Sequence, residues 1–149
     1  YSVKGYIYYY LFNDRRNALI NYTKAIDIDP EEAINYYNRG YYFYEEEEEW
    51  ELALADSKKA QELNPDGNYF FRLAYVADKL EQYDNALSYY MQYIEKYGED
   101  SGTLNNMGVI YREDLKEYEK ALEYFNKAIE VLSEKAIYYI SRANLYYFG

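Results

Sequence analysis

The chain has 149 residues, half of them hydrophobic and 25 of them tyrosine, with acids outnumbering bases 27 to 16 for a formal net charge of −11. That length carries one domain with a sizeable core. The charge argues against nucleic acid, whose backbone needs clustered Lys and Arg to release counterions, and against anionic membrane surfaces. Cysteine and histidine are both absent, which removes disulfides, thiol chemistry, the commonest general base, the commonest metal ligand and the usual pH switch. Without cysteine the compartment stays open, with the cytoplasm as the expectation. No apolar run approaches the roughly 18 residues of a membrane span, so no membrane insertion is expected. A basic or neutral protein is the more compatible partner.

Apolar residues at three- and four-residue spacing predict paired amphipathic helices along the whole chain. First helices are expected near 1–12, 31–46, 67–80, 101–114 and 134–148, and second helices near 15–28, 49–63, 83–97 and 117–132. In the first helix of the second pair, Ala33, Ile34, Tyr37, Gly40, Tyr41, Phe43 and Tyr44 carry the helical spacing. Trp50, Leu52, Ala53 and Leu54 open its partner, which runs through Ala60 to Leu63 and stops at Asn64-Pro65, because proline cannot continue a helix. Proline also suits a helix's first turn, which is the expected place of Pro30 in Asp29-Pro30-Glu31-Glu32.

The pairs are copies of one another. Ala18-x6-Ala25-x4-Pro30, Ala53-x6-Ala60-x4-Pro65 and Ala121-x6-Ala128 align, with Ala86, Tyr93 and Gly98 in the same slots of a further copy. The offsets between the leading alanines are 35, 33 and 35 residues, and a period near 34 marks an array of one supersecondary unit. One small residue recurs in the middle of each first helix: Gly5, Gly40, Ala74, Gly108 and Ala143. Glycine there costs about 1 kcal/mol relative to alanine, so its recurrence implies that the second helix crosses too close to admit a side chain. Tyr111 and Tyr146 follow Gly108 and Ala143 by three residues. Tyr22, Tyr90 and Phe125 fill the large slot between the paired alanines, where the second copy has Ser57.

This pattern resembles the tetratricopeptide repeat. The resemblance covers almost the whole chain, with repeats at approximately 1–30, 31–65, 66–99 and 100–133 and a partial one at 134–149, forming a single domain over 1–149. It implies an all-α fold, a right-handed superhelical solenoid of antiparallel helix pairs. The copies also depart from the family. Repeats one, two and four hold one extra residue between the small residue and the following alanine. Tyr93 replaces a small residue, and Gly98 and Ser133 replace the proline. These departures bear on local helix crossing and curvature, not on the architecture.

In such arrays the first helices line a concave groove that holds a partner's extended peptide. Carried over by register, the groove residues are Tyr6 and Tyr9, then Tyr37, Tyr41 and Tyr44, then Phe71 and Tyr75, then Asn105, Val109 and Arg112, and finally Ile140 and Asn144. Tyrosine offers broad contact area with little side-chain entropy to lose; against this, any single tyrosine is more often interface filling. Asn38 and Arg72 occupy two registers of the carboxylate clamp used by chaperone-binding members. Ser2, Tyr6 and Asn68 stand where the clamp needs Lys, Asn and a second Lys, so a clamp is not expected. Asn38 and Arg72 are kept as groove residues.

Glu45 to Glu49 places five acids at the end of a first helix, opposing its macrodipole. A solvated turn is the plainer reading and attraction of a Lys/Arg-rich partner the sharper one. Asp27-x-Asp29 lacks the glycine and distal glutamate of a calcium loop. No phosphate loop, nucleophile–base pair or metal-ligand cluster is visible. The expectation is therefore a non-enzymatic protein-binding module with no cofactor and no metal. Two alternatives are a scaffold that self-associates into a homo-oligomer through uncapped, apolar ends, and a regulatory segment of a larger enzyme.

Overall fold

A computed structural model describes the backbone of residues 1–47 and 49–148 and the side chains of residues 1–45 and 49–133. Among the described residues there is no strand. Eight α-helices follow in order: α1 Ser2–Tyr10, α2 Arg15–Ile28, α3 Ala33–Tyr42, α4 Trp50–Leu63, α5 Phe70–Lys79, α6 Tyr83–Tyr97, α7 Ser101–Val109 and α8 Tyr118–Phe148. They group into two compact units, Tyr1–Tyr89 and Tyr90–Gly149. In the first, α1 packs on α2 and α3 on α4, while α2 also meets α3 and α4 meets α5. In the second, α7 packs on α8.

The small residues sit where the helices cross. A Cβ placed on Gly5 would stand 2.6 Å from the Tyr22 ring, and one on Gly108 would stand 2.7 Å from the Phe125 ring. At Gly40 the obstruction lies nearer the main chain, with Asp56 Cβ at 3.0 Å and the Ala53 carbonyl oxygen at 3.4 Å. Ala18, Ala53, Ala74, Ala86 and Ala121 are buried at the same crossings. Around them pack Tyr22 and Tyr42 with Tyr8, Tyr9 and Leu19, and Leu54, Leu73 and Val76 with Trp50 and Phe70.

The extra residue of repeats one, two and four is absorbed at the turn inside each pair. The N–H groups of Asp14, Glu49 and Glu117 donate to the carbonyls of Tyr8, Phe43 and Tyr111, six residues back, whereas Gln82 in repeat three donates to Ala77, five back. In repeats two and four the wider closure appears as π-helical turns over Phe43–Glu47 and Ile110–Asp114. The turn leaves Asn13, Glu81 and Lys116 in the left-handed region at φ 50°, 57° and 57°. Four residues beyond the closing group, Ala18, Ala53, Ala86 and Ala121 donate back to Asp14, Glu49, Gln82 and Glu117, so the register of every second helix is restored. The inserted residue changes the turn, not the crossing.

Helix ends are satisfied by side chains. Asp14 accepts from the Asn17 N–H and side-chain amide, bonds that hold its carboxyl below the ordinary range. Asp100 accepts from the N–H groups of Gly102 and Thr103. The buried Asn35 amide donates to the Ala25 and Asp29 carbonyls at 3.2 Å each, adding a second donor to carbonyls that already accept from the Asp29 and Glu32 N–H groups.

Two expectations are corrected. Pro30 lies in the turn, and α3 begins at Ala33 with Glu32 as its N-cap, because Asn35 reaching back to α2 places the helix start later. Second and first helices were also expected to separate near 132–134, yet α8 runs unbroken through 31 residues from Tyr118 to Phe148. Ser133 has neither the ring that ends a helix nor the conformational freedom of glycine.

Candidate functional site

On α3, Tyr37 and Tyr41 are one helical turn apart and share a face, and the π-helical turn that follows carries Tyr44 onto it. α5 adds Arg72 and Tyr75. The Arg72 Nη1 donates to the Tyr37 carbonyl at 2.8 Å, and its guanidinium carbon lies 3.8 Å from the Tyr37 ring centre and 4.9 Å from that of Tyr41. A cation so placed is attracted by the ring faces, by about 0.5–2 kcal/mol per contact depending on desolvation. Tyr44 meets Tyr41 at 5.9 Å, Tyr75 at 5.3 Å and Trp50 at 5.8 Å between ring centres. Lys79 Nζ lies 5.1 Å from the Tyr75 ring. At the α1 side, Tyr9 stands edge-on to Tyr41 at 6.3 Å.

The electrostatics follow from this half-buried setting. Burial lowers the Arg72 pKa, opposed by the nearby Tyr37, Tyr41, Tyr44 and Glu45 oxygens. Among the described residues no carboxylate forms an ion pair with Arg72. Burial also pushes the Tyr41 hydroxyl well above the usual range, helped by a hydrogen bond with Tyr10 and by Glu45. Tyr44 moves the same way through burial, then Tyr75 and Glu45. The Tyr41 and Tyr44 hydroxyls therefore stay neutral across the physiological range, beside the cations of Arg72 and Lys79.

Of the groove residues read from the sequence, Tyr9, Tyr37, Tyr41, Tyr44, Arg72 and Tyr75 come together here. Tyr6 is exposed on α1 with its ring 4.4 Å from Tyr10, and Phe71 is exposed on α5. The Asn38 amide donates to Ser2 Oγ at 2.8 Å. Neither Asn38 nor Arg72 is thus arranged as a bare clamp donor. Asn105, Val109 and Arg112 belong to the second unit, where Arg112 pairs with Glu113 at 2.7 Å and lies 5.4 Å from the Phe125 ring. The side chains of Ile140 and Asn144, and those of Glu46 to Glu48 in the acidic run, fall outside the described residues. Trp50 and Tyr69 join the cluster without having been singled out; Tyr69 meets Tyr37 at 5.3 Å. The signal for the Arg72 contact was its distance of 35 residues from Tyr37, one repeat.

Among the described residues no group of His, Cys, Asp or Glu is placed to hold a metal, and no helix is long and apolar enough to cross a membrane. The arrangement offers stacking surface, hydroxyl hydrogen bonds and the two cations of Arg72 and Lys79.

An array of helix pairs crossing at glycine and alanine defines the class of protein. The profile described as tetratricopeptide repeat matches residues 67–95 and 101–131, so these two segments are tetratricopeptide repeats. No curated protein sequence matches it. Among solved structures it resembles MamA at 24% identity and TM-score 0.80, covering 89% of this chain and 76% of that one. It also resembles the first tetratricopeptide domain of Spaghetti (RPAP3) bound to an HSP90 peptide, at 21% identity and TM-score 0.66, covering 74% and 89%. The TPR2B domain of yeast Sti1 in a pHsp70 complex is similar at 29% identity and TM-score 0.58, covering 81% and 92%.

Proposed function

We propose that the chain is a non-catalytic interaction module whose first unit holds a peptide or partner helix against the tyrosine face of α3 and α5. The observation that carries this reading is the half-exposed set Tyr37, Tyr41, Tyr44 and Tyr75 around Arg72, whose guanidinium is layered on two rings and bonded to the Tyr37 carbonyl. A face built only for stability would bury these rings. Here burial is complete one layer below, at Tyr22, Tyr42 and Leu73. Affinity comes from apolar cover of the rings, and orientation from hydrogen bonds to tyrosine hydroxyls. The net charge of −11 favours a neutral or basic ligand over an acidic one. Two similar structures are complexes with an HSP90 peptide and with pHsp70, which is in keeping with a peptide ligand. The residues at the face differ from a carboxylate clamp, with Ser2 engaged by Asn38.

The test uses peptides selected by the full chain from a displayed random library, with Kd measured by fluorescence anisotropy. Tyr41→Ala with Tyr75→Ala is expected to weaken binding at least tenfold, since truncating central aromatic anchors costs about 2 kcal/mol or more, while the helical circular dichroism is kept. Arg72→Lys also weakens binding, because an ammonium cannot stack as a guanidinium does. Unchanged affinity in the double variant removes the reading.

A further inference from the structure

The second unit leaves uncovered a face that the first unit covers. In the first unit each second helix receives the next first helix: Ala25 and Ile26 of α2 are buried where α3 lies against it, and Ala60 of α4 is buried with Tyr69. At the same registers α8 carries Ala128 and Ile129. Ile26 is 9% exposed, whereas Ile129 is 60% exposed and Leu132 59%. These residues, with Phe125 of α8 and Ser101, Gly102 and Asn105 of α7, bound an open cavity of about 580 Å³.

The chain also holds a segment with the pattern of the helix that is missing from this face. Counted from Ala143 in the Gly108 slot, Tyr138 stands at the register of Asn35, Tyr69 and Thr103, and Leu145 at that of Tyr42, Val76 and Ile110. All six of those counterparts are buried. Residues 134–148 span about 22 Å as a helix, which matches the 14 residues from Ser101 to Asp114 that they would lie along. Yet this segment continues α8. α2 and α4 stop ahead of Pro30 and Pro65, and α6 stops at Gly98 with φ +86°. Between Tyr118 and Phe148 there is neither proline nor glycine. An unbroken helix cannot fold back onto its own groove.

We infer that residues 134–148 of a second copy of this chain fill the groove between α7 and α8, and that the exchange is reciprocal. A two-fold dimer results in which each copy supplies the other's fifth first helix, the self-complementary geometry of a swapped element. It buries Ile129 and Leu132 as Ile26 is buried in the first unit. This association is independent of peptide binding by α3 and α5.

The chain has no cysteine, so engineered thiols report the contact directly. Tyr37, at the register of Asn105, meets Arg72 of the next first helix, and the register of Arg72 is Ser141. Asn105→Cys and Ser141→Cys chains are made separately, mixed and mildly oxidised with oxidised glutathione. A mixed disulfide-linked dimer is expected in excess of either homodimer, and light scattering of the unaltered chain is expected to give twice 18.0 kDa. Leu132→Asp, checked for helicity, is expected to shift that mass towards 18.0 kDa. A monomeric unaltered chain at high concentration overturns the inference. So does failure of the mixed disulfide, or a chain carrying both cysteines that closes the bond within one copy.

Discussion

The two units use one scaffold for different surfaces. Where the first presents Tyr37, Tyr41 and Tyr44, the second has Asn105, Val109 and Arg112 at the same registers. Where the first fastens α3 to α4 with a bidentate pair between half-buried Arg39 and buried Asp56, Arg39 Nε and Nη2 each 2.8 Å from an Asp56 oxygen, the second has Met107, fully buried, and Tyr124. The crossing itself is the same, with glycine opposite a leading alanine and an aromatic ring or its replacement alongside. The lesson is that the crossing slots are constrained by packing, while neighbouring slots are free to change chemistry.

That comparison is broken most severely at Asp56. Asp56→Ala leaves a half-buried guanidinium unpaired and is expected to cost about 3 kcal/mol, read as a lower urea midpoint. The paired change Arg39→Met with Asp56→Tyr installs the second unit's residues and is expected to recover most of the loss; a double variant as unstable as the single one would show that the pair is not the fastening. Next come the crossings. Gly40→Val and Gly108→Val are each expected to cost about 2 kcal/mol through overpacking, with the larger loss at Gly40. There the Ala53 carbonyl stands in the way and cannot move as the Phe125 ring can.

A smaller effect separates the units by pH. Burial raises the Tyr22 hydroxyl to about 12, while its counterpart Phe125 does not ionise. A folded-state pKa above the unfolded value of 10.0 contributes stability that is complete below pH 10 and lost as the pH rises through about 12. Tyrosinate absorbance followed with circular dichroism should show Tyr22 titrating late, and Tyr22→Phe should flatten the decline in stability over that range. The smallest effect belongs to the exposed Lys127–Glu123 pair, 2.7 Å apart. Its hydrogen bond lowers the Glu123 pKa, yet solvent screening is expected to leave the urea midpoint of Glu123→Gln unchanged.

The helix pairs were legible because their signals are local and repeated. Gly5, Gly40 and Gly108 with Ala18, Ala53 and Ala121 mark each crossing within a few turns of chain. The extra residue in three repeats was visible as a count. Its absorption by a six-residue closure was not, because that depends on which carbonyl the turn can reach. Pro30 was misplaced because Asn35, folding back onto α2, fixes where α3 begins. The missing break at Ser133 was noted as a substitution, but its consequence for α8 is a matter of helix continuity that no single residue announces. In the candidate site, Tyr37, Tyr41 and Tyr44 could be grouped because they share one helix face. The layering of Arg72 on two of them requires α5 beside α3, and only the structure supplies that.

The central claim is that the tyrosine face around Arg72 receives a polypeptide. Amide hydrogen exchange of the full chain, with and without a library-selected peptide at saturation, tests it most directly. Added protection confined to α3 and α5, and lost in the Tyr41→Ala/Tyr75→Ala variant, is the predicted result; protection that maps elsewhere, or that survives the double substitution, contradicts it.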